Sequence, residues 1–400
     1  MGHCTPPQTH PDRPRLSIAD IVARHGGELT GLSSEQHRVL AAITACRTEA
    51  LGGHCSECDH CGHQDISYNS CRNRHCPTCG GSAELDWISR RQQDLLPVEY
   101  HHAVFTISAH LHDLFLYNPK LAYGFLFAAA SETLQEAAGE PRWLGARIGL
   151  MAILHTWTQK LLYHPHLHCI VPGGGLSEDG SRWVPTRPGF LFPVRALSEM
   201  FRGKLLFKLQ TALKNGELVV PPGPITPERA LKRAARQKWN VYSKPSLAGP
   251  EHVIAYLGRY VHRIAISNER ILHYEDGKVT FRYKDRADGD RQKTETLEAT
   301  TFLRRFLLHV LPHGFVRIRY FGLLAHARRR AALEQCRRLL GVTVPASPAP
   351  DEQAARERLQ ALVGVDRTVC KLCSQGRLRI VEILPSAKRG RSWPARAPPT

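Results

Sequence analysis

The chain has 400 residues, 42% of them hydrophobic and 22% charged, with a formal net charge of +18. That composition excludes a disordered or collagen-like polymer and leaves room for two or three domains. The basic excess makes nucleic acid or an anionic membrane surface the default partner, and no apolar run reaches the ~20 residues of a spanning helix. The opening MGHCTPPQTHPDRPR lacks the charged-then-apolar layout of an export signal. Twelve cysteines in such a chain read as metal ligands before disulfides.

In chain order, residues 1–32 are rich in Pro and Gly, with weak helix potential near 18–24. A helix pattern follows at 33–45, then a Cys/His-dense block at 46–81 without hydrophobic periodicity. Ser82 can cap a helix to about 96, halted before Pro97. Residues 101–108 read as a strand, 110–162 as two or three helices, and 165–172 as a strand running into Gly173-Gly174-Gly175. Helices are expected at 196–213 and at 227–239, the second capped by Thr226 with Pro227 in its first turn. A helix is expected at 251–263. Strands at 269–275 and 278–284 flank Asp276-Gly277, a hairpin turn. Residues 345–352 read as a linker, and the Pro/Arg-rich tail from Ser386 as disordered. Strands mixed with helices, and a clear hairpin, predict an α+β fold.

The block holds two knuckles, Cys58-x2-Cys61 and Cys76-x2-Cys79, 14 residues apart. Four thiolates so spaced match one tetrahedral structural zinc. Its binding energy would fold a segment with little core of its own, and a closed site of this kind leaves no position for a substrate. Cys46, His54, Cys71 and His75 suffice for a second zinc, or serve as caps and polar surface. Cys370-x2-Cys373 forms a further knuckle that Cys336 or a histidine could complete into a third site, or that stands as a half-site or a plain pair of thiols. The role of Cys55 stays open.

On a strand, His166 and His168 of "YHPHLHCIVPGGG" point to one face, and two imidazoles one repeat apart can hold a divalent ion. The same spacing also fits two half-buried histidines on a polar sheet face. Tyr256 and Tyr260, four apart on a helix, share a face. Alone they read as core or surface aromatics. With the histidines and the basic charge they suggest a tyrosine attack on a DNA phosphodiester beside a Lewis-acid metal. Gln159 is a candidate third ligand, its carbonyl oxygen suited to a hard ion such as Mg2+ or Mn2+.

The chain resembles the rolling-circle transposases of the insertion sequence 91 family, within the class named for its His-hydrophobic-His motif. The resemblance spans roughly 35–342. It rests on "YNSCRNRHCPTC" (68–79), "LHTWTQKLLYHPHLHCIVPGGGLS" (154–177), "LSEMFRGKL" (197–205), "YLGRYVHRIAISNERI" (256–271) and "FLRRFLLHVLPHGFVRIRYFGLLA" (302–325). It implies a nuclease core whose central antiparallel sheet is flanked by helices, preceded by an N-terminal zinc-binding domain. His166 and His168 would bind the catalytic ion. Tyr256 and Tyr260 would form 5′-phosphotyrosine links to single-stranded DNA at element ends and target DNA.

Helicase work would come from host replication machinery, since no Gly-x4-Gly-Lys-Ser/Thr phosphate loop occurs. A cytoplasmic, nucleoid-associated protein with no membrane partner is implied. The division expected is a flexible segment 1–32, a zinc-binding domain with flanking helices 33–96, a tyrosine nuclease core with helical insertions 97–285, a basic helical region 286–344, and a linker, knuckle and basic tail 345–400.

Arg229, Arg233 and Arg236 form one helical stripe, and seven arginines lie between Arg317 and Arg338. Such stripes can track a phosphate backbone, or be ordinary solvated helix faces. Arg259 and Arg263 flank the tyrosines and are better placed for phosphates. A plasmid replication initiator or relaxase shares this chemistry. A non-catalytic zinc-dependent DNA-binding regulator would account for the charge and cysteines, but not for the tyrosine pair.

Overall fold

The computed structural model describes residues 16–79, 94–245, 265–327, 329–342 and 368–387. The expected helices around Ser82 and at 251–263 lie mostly or wholly outside them, so Tyr256, Arg259, Tyr260 and Arg263 do too. The described residues fall into two compact units. One is built from 16–79, 265–304 and 368–387, the other from 94–245, 305–327 and 329–342.

In the first unit, α1 (Ile18–His25) and α2 (Ser34–Ala45) each start on a capping box. Ser33 Oγ accepts from the Gln36 N–H at 3.2 Å, while the Ser33 N–H donates to Gln36 Oε1 at 2.8 Å. The cysteine block is a hairpin of β1 (Gly53–Cys58) and β2 (Gln64–Tyr68). A late strand, β13 (Leu378–Leu384), pairs antiparallel with β1, giving the sheet order β13-β1-β2. A meander of β9 (Ile271–Glu275), β10 (Lys278–Asp285) and β11 (Arg291–Glu298) makes a second sheet. Its first turn is the expected Asp276-Gly277, at φ 47° and 74°, the left-handed pair a tight hairpin needs. Val279, Phe281 and Tyr283 alternate inward along β10, and Phe281 packs against Phe302 at 5.7 Å.

The second unit is built on a five-stranded antiparallel sheet of β3 (Tyr100–Thr106), β4 (Gly149–Trp157), β5 (Tyr163–Pro172), β8 (Val241–Pro245) and β12 (Ile318–Gly322), in the order β12-β4-β5-β3-β8, beside a two-stranded ribbon of β6 (Gly174–Leu176) and β7 (Trp183–Pro185). Around it lie α3 (His112–Tyr117), α4 (Pro119–Gly139), α5 (Val194–Lys214) and α6 (Pro227–Arg236). One sheet face presents Phe105, Ala152, Leu154, Leu167, Cys169 and Val171 to a core shared with Phe127 of α4 and Phe201 of α5. The chain is thus α+β, with antiparallel sheets flanked by helices.

Several expectations are corrected. Residues 18–25, inside the segment expected to be flexible, form α1 with Ile18, Ile21 and Val22 buried, and residues 265–285, expected in the nuclease core, belong to the first unit. Residues 110–162, read as helices, contain α3 and α4 but then β4. Positions 149–156 of that strand are all buried, so it lacks the polar–apolar alternation that marks a strand. Residues 286–344, read as helical, contain β11 and β12 beside α7 (Ala299–Leu307) and α8 (Arg329–Leu339). The polar face of β11 is exposed, and its charges hid the strand. The glycine run serves packing: Gly173 N–H donates to the Glu99 carbonyl at 2.6 Å, and a Cβ on Gly174 would lie 2.6 Å from the Trp183 ring.

Buried His309 joins the far end of the β4–β5 hairpin to the segment that follows α7. Its Nε2–H donates to the Leu161 carbonyl at 3.1 Å, and its Nδ1 lies 3.2 Å from Thr156 Oγ1. Burial pushes its pKa down to about 4, opposed by the Leu161 bond. The folded form therefore keeps His309 neutral while the unfolded chain takes up a proton below pH ~6.5, so stability falls as pH drops from there toward 4. Between pH 7 and pH 5 the loss expected from this residue is about 2 kcal/mol. Urea unfolding of His309→Gln at the two pH values should show a correspondingly smaller pH dependence than the wild type.

Candidate functional site

Residues 166, 168 and 170 of β5 face away from the helix-packed core, because 167, 169 and 171 fill it. The hairpin register then sets His155 of β4 opposite His166, and Ile153 opposite His168. The ring nitrogens of His155, His166 and His168 all lie within 4.8 Å of one another. Donors about 2.1 Å from a common ion lie at most about 4.2 Å apart, so closing on a cation takes less than about 1 Å of side-chain movement. Three protein ligands leave positions open for an oxygen of a substrate.

His166 and His168 lie together, as their spacing predicts. His155 joins them from β4, whose residues show no strand period; its position opposite His166 in the hairpin is the signal for it. Gln159 lies in the turn between β4 and β5, and the third nitrogen gathered at the cluster comes from His155.

Neighbouring groups orient the rings. His166 Nδ1–H donates to the His164 carbonyl at 2.7 Å, which leaves Nε2 for a metal. His168 Nδ1 lies 2.7 Å from His102 Nε2, with the two rings stacked at 5.0 Å. His155 stacks on Trp157 at 4.6 Å. Burial lowers the pKa of His164 and pushes that of nearby His112 down to about 4, so both are neutral at pH 7. Among the described residues no carboxylate joins the cluster, so a bound divalent ion would keep its full charge for an anionic ligand.

The cysteines sort differently from their spacing. Cys76 and Cys79 meet Cys46 and Cys71, not Cys58 and Cys61. The reason is the β1–β2 hairpin. Cys58 and Cys61 sit at its turn, whereas Cys46, Cys71, Cys76 and Cys79 sit at its open end, roughly 20 Å of strand away. Cys71 and Cys79 Sγ are 3.7 Å apart. Four sulfurs about 2.3 Å from a tetrahedral ion would lie about 3.8 Å apart. The second site expected from Cys46, His54, Cys71 and His75 is corrected accordingly: His54 is half-buried on β1, buried His75 lies outside the cluster, and two thiolates take their places.

Cys58 and Cys61 meet Cys370 and Cys373 instead. The backbone N–H groups of Gly376 and then Gln375 hold the Cys373 thiol down at about 6. Cys336 packs with Leu96, Leu176 and Leu333 and joins no donor cluster among the described residues.

Arg229, Arg233 and Arg236 lie exposed on α6, opposite the buried Ala230, Leu231 and Ala234. Much of the 317–338 arginine run is used inside its own unit. Arg319 sits 4.4 Å above the Phe127 ring, and Arg337 donates to the Leu95 carbonyl.

Comparison with known proteins adds the following. Residues 149–331 match the family described as "Putative transposase", and residues 18–107 match the "Transposase zinc-binding domain". The chain is 48% identical to "Putative transposase y4qJ" of Sinorhizobium fredii over 379 residues, covering 92% of this chain and 95% of that protein. It is 30% identical over 371 residues to the "Transposase for insertion sequence element IS801" of Pseudomonas savastanoi pv. phaseolicola, covering 90% of this chain and 86% of that protein. No solved structure matches. The zinc-binding domain and the thiolate clusters support structural zinc.

The His102–His168 contact can be tested directly. Partners of metal-bound imidazoles typically matter 10–100-fold for affinity. Titration calorimetry with Mn2+ should show His102→Ala weakening binding at the three-histidine cluster by about that factor, with the thiolate-bound zinc retained.

Proposed function

This chain belongs to the insertion sequence 91 family of transposases, and on that premise we propose that it cuts and rejoins single-stranded DNA through tyrosine–phosphate links. The gathering of His155, His166 and His168 on the polar face of the central sheet carries this reading. A divalent ion held by these imidazoles would supply Lewis-acid polarisation of the scissile phosphate. An all-nitrogen donor set favours Mn2+ over Mg2+, which prefers oxygen ligands.

Tyr256 and Tyr260 are the proposed nucleophiles. The support for them is the family motif and their spacing of four. In each cut a tyrosine oxygen bonds to phosphorus, the P–O3′ bond breaks, and the freed 3′ oxygen takes a proton. Energy stored in the 5′-phosphotyrosine bond then permits rejoining to a second 3′ hydroxyl without ATP. Two tyrosines allow two such links to coexist, one for an element end and one for target DNA.

In this reading Arg259 and Arg263, with the exposed face of α6 carrying Arg229, Arg233 and Arg236, hold the phosphate backbone. The protein works in the cytoplasm on nucleoid DNA, with strand separation left to host replication or helicase proteins. Among the described residues no helix is long and apolar enough to cross a membrane. A non-catalytic zinc-dependent regulator would leave the three-histidine cluster without a purpose.

The reading is tested with single-stranded oligonucleotides carrying an element end. A covalent protein–DNA adduct should form with Mn2+ and vanish on chelation. Tyr256→Phe combined with Tyr260→Phe should abolish it, and His166→Ala or His168→Ala should reduce its rate at least about 100-fold. An undiminished adduct in the double tyrosine variant would overturn the assignment.

A further inference from the structure

The Cys58–Cys61 turn and the Cys370–Cys373 turn converge although Cys61 and Cys370 are 309 residues apart in sequence. Cys58 Sγ lies 3.7 Å from Cys373 Sγ, and Cys61 Sγ lies 3.7 Å from Cys370 Sγ. Both separations match the edge of about 3.8 Å expected for a tetrahedral zinc–sulfur site, and both are far beyond the roughly 2.05 Å of a disulfide.

The two turns are closed by similar backbone bonds. Cys58 N–H donates to the His63 carbonyl at 2.9 Å, and Cys370 N–H to the Gly376 carbonyl at 2.8 Å. Each turn also aims a backbone N–H at a sulfur: His60 at Cys58 and Gly376 at Cys373, both at 3.4 Å. Such bonds favour the thiolate form that a metal needs. A side chain on Gly376 would collide with Cys58 Sγ, so the second turn must be bare there to close on the first.

We propose that Cys58, Cys61, Cys370 and Cys373 bind one zinc ion, and that this ion fastens the 368–387 segment to the N-terminal zinc-binding domain. The matched family regions, 18–107 and 149–331, contain only half of this ligand set.

Little else in the segment would hold it. Leu372, Ile380, Val381 and Ile383 are 71%, 60%, 55% and 71% exposed, so their burial contributes little. The Asp59–Arg379 ion pair at 3.1 Å is solvent-facing and correspondingly weak. What remains is the β1–β13 backbone ladder, with the Arg377 N–H donating to Asp59 Oδ1 at 2.7 Å and the Ser386 hydroxyl to the Ala50 carbonyl at 2.9 Å, seated closely enough that a Cβ on Gly52 would lie 2.5 Å from the Leu384 carbonyl oxygen. A single added edge strand with exposed side chains is marginal without a staple.

The test uses the full chain with Co2+ in place of zinc. Sulfur-to-cobalt charge-transfer absorption counts thiolate-bound ions and ignores the histidine cluster. The intact protein should show two tetrathiolate ions. Cys58→Ser/Cys61→Ser, Cys370→Ser/Cys373→Ser and the fourfold variant should each show one, because both pairs serve the same ion. In Cys370→Ser/Cys373→Ser, limited proteolysis should also release the C-terminal segment at least tenfold faster. No change in cobalt count for that variant, or loss of both ions in the fourfold variant, would overturn the proposal. Should Cys58→Ser/Cys61→Ser fail to fold, Cys370→Ser/Cys373→Ser decides alone: one ion lost supports the shared site, and none or two lost refutes it.

Discussion

A strand in the middle of a sheet has both edges occupied, so its only freedom is what it places on its two faces. β5, hydrogen-bonded to β4 and β3, gives Leu167, Cys169 and Val171 to the helical layer. What is left over is the face carrying His166 and His168. The period of two that builds the core thus also gathers the histidines, and neither can be shifted without the other. A slip of one residue would turn two imidazoles toward the leucines of the core and take Leu167, Cys169 and Val171 out of it.

The N-terminal domain solves a different problem. Its hairpin is short and its strands carry few large apolar groups, so thiolate–metal bonds stand in for a core. The hairpin keeps two knuckles apart that would otherwise compete for one ion, giving each end its own set of four sulfurs. Removing the thiolate-bound ions would therefore cost this domain its fold.

Much of this was legible from residue patterns alone. The helix at 33–45, the turn at Asp276-Gly277, the shared face of His166 and His168, and the presence of metal-binding thiolates all follow from local rules. The family resemblance, read from several motifs in order, agrees with the matched families and relatives. What was not legible depended on partners far away in sequence. His155 joins His166 and His168 only once β4 is known to pair with β5, and a wholly buried strand has no period to reveal it. The sorting of Cys58 with Cys370, and not with Cys76, is set by β13 joining β1; spacing along the chain carries no record of that pairing.

The distance along the chain between Cys61 and Cys370 also has a consequence in time. Translation adds roughly 5–20 residues per second, so the separation of 309 residues parts the two thiols by about 15–60 s. Cys46, Cys71, Cys76 and Cys79 can gather early on the ribosome, while the turn of the same hairpin must wait, half-dressed, for Cys370 and Cys373 to emerge. A nascent or prematurely terminated copy is thereby marked by two bare thiols at one end of an otherwise finished domain.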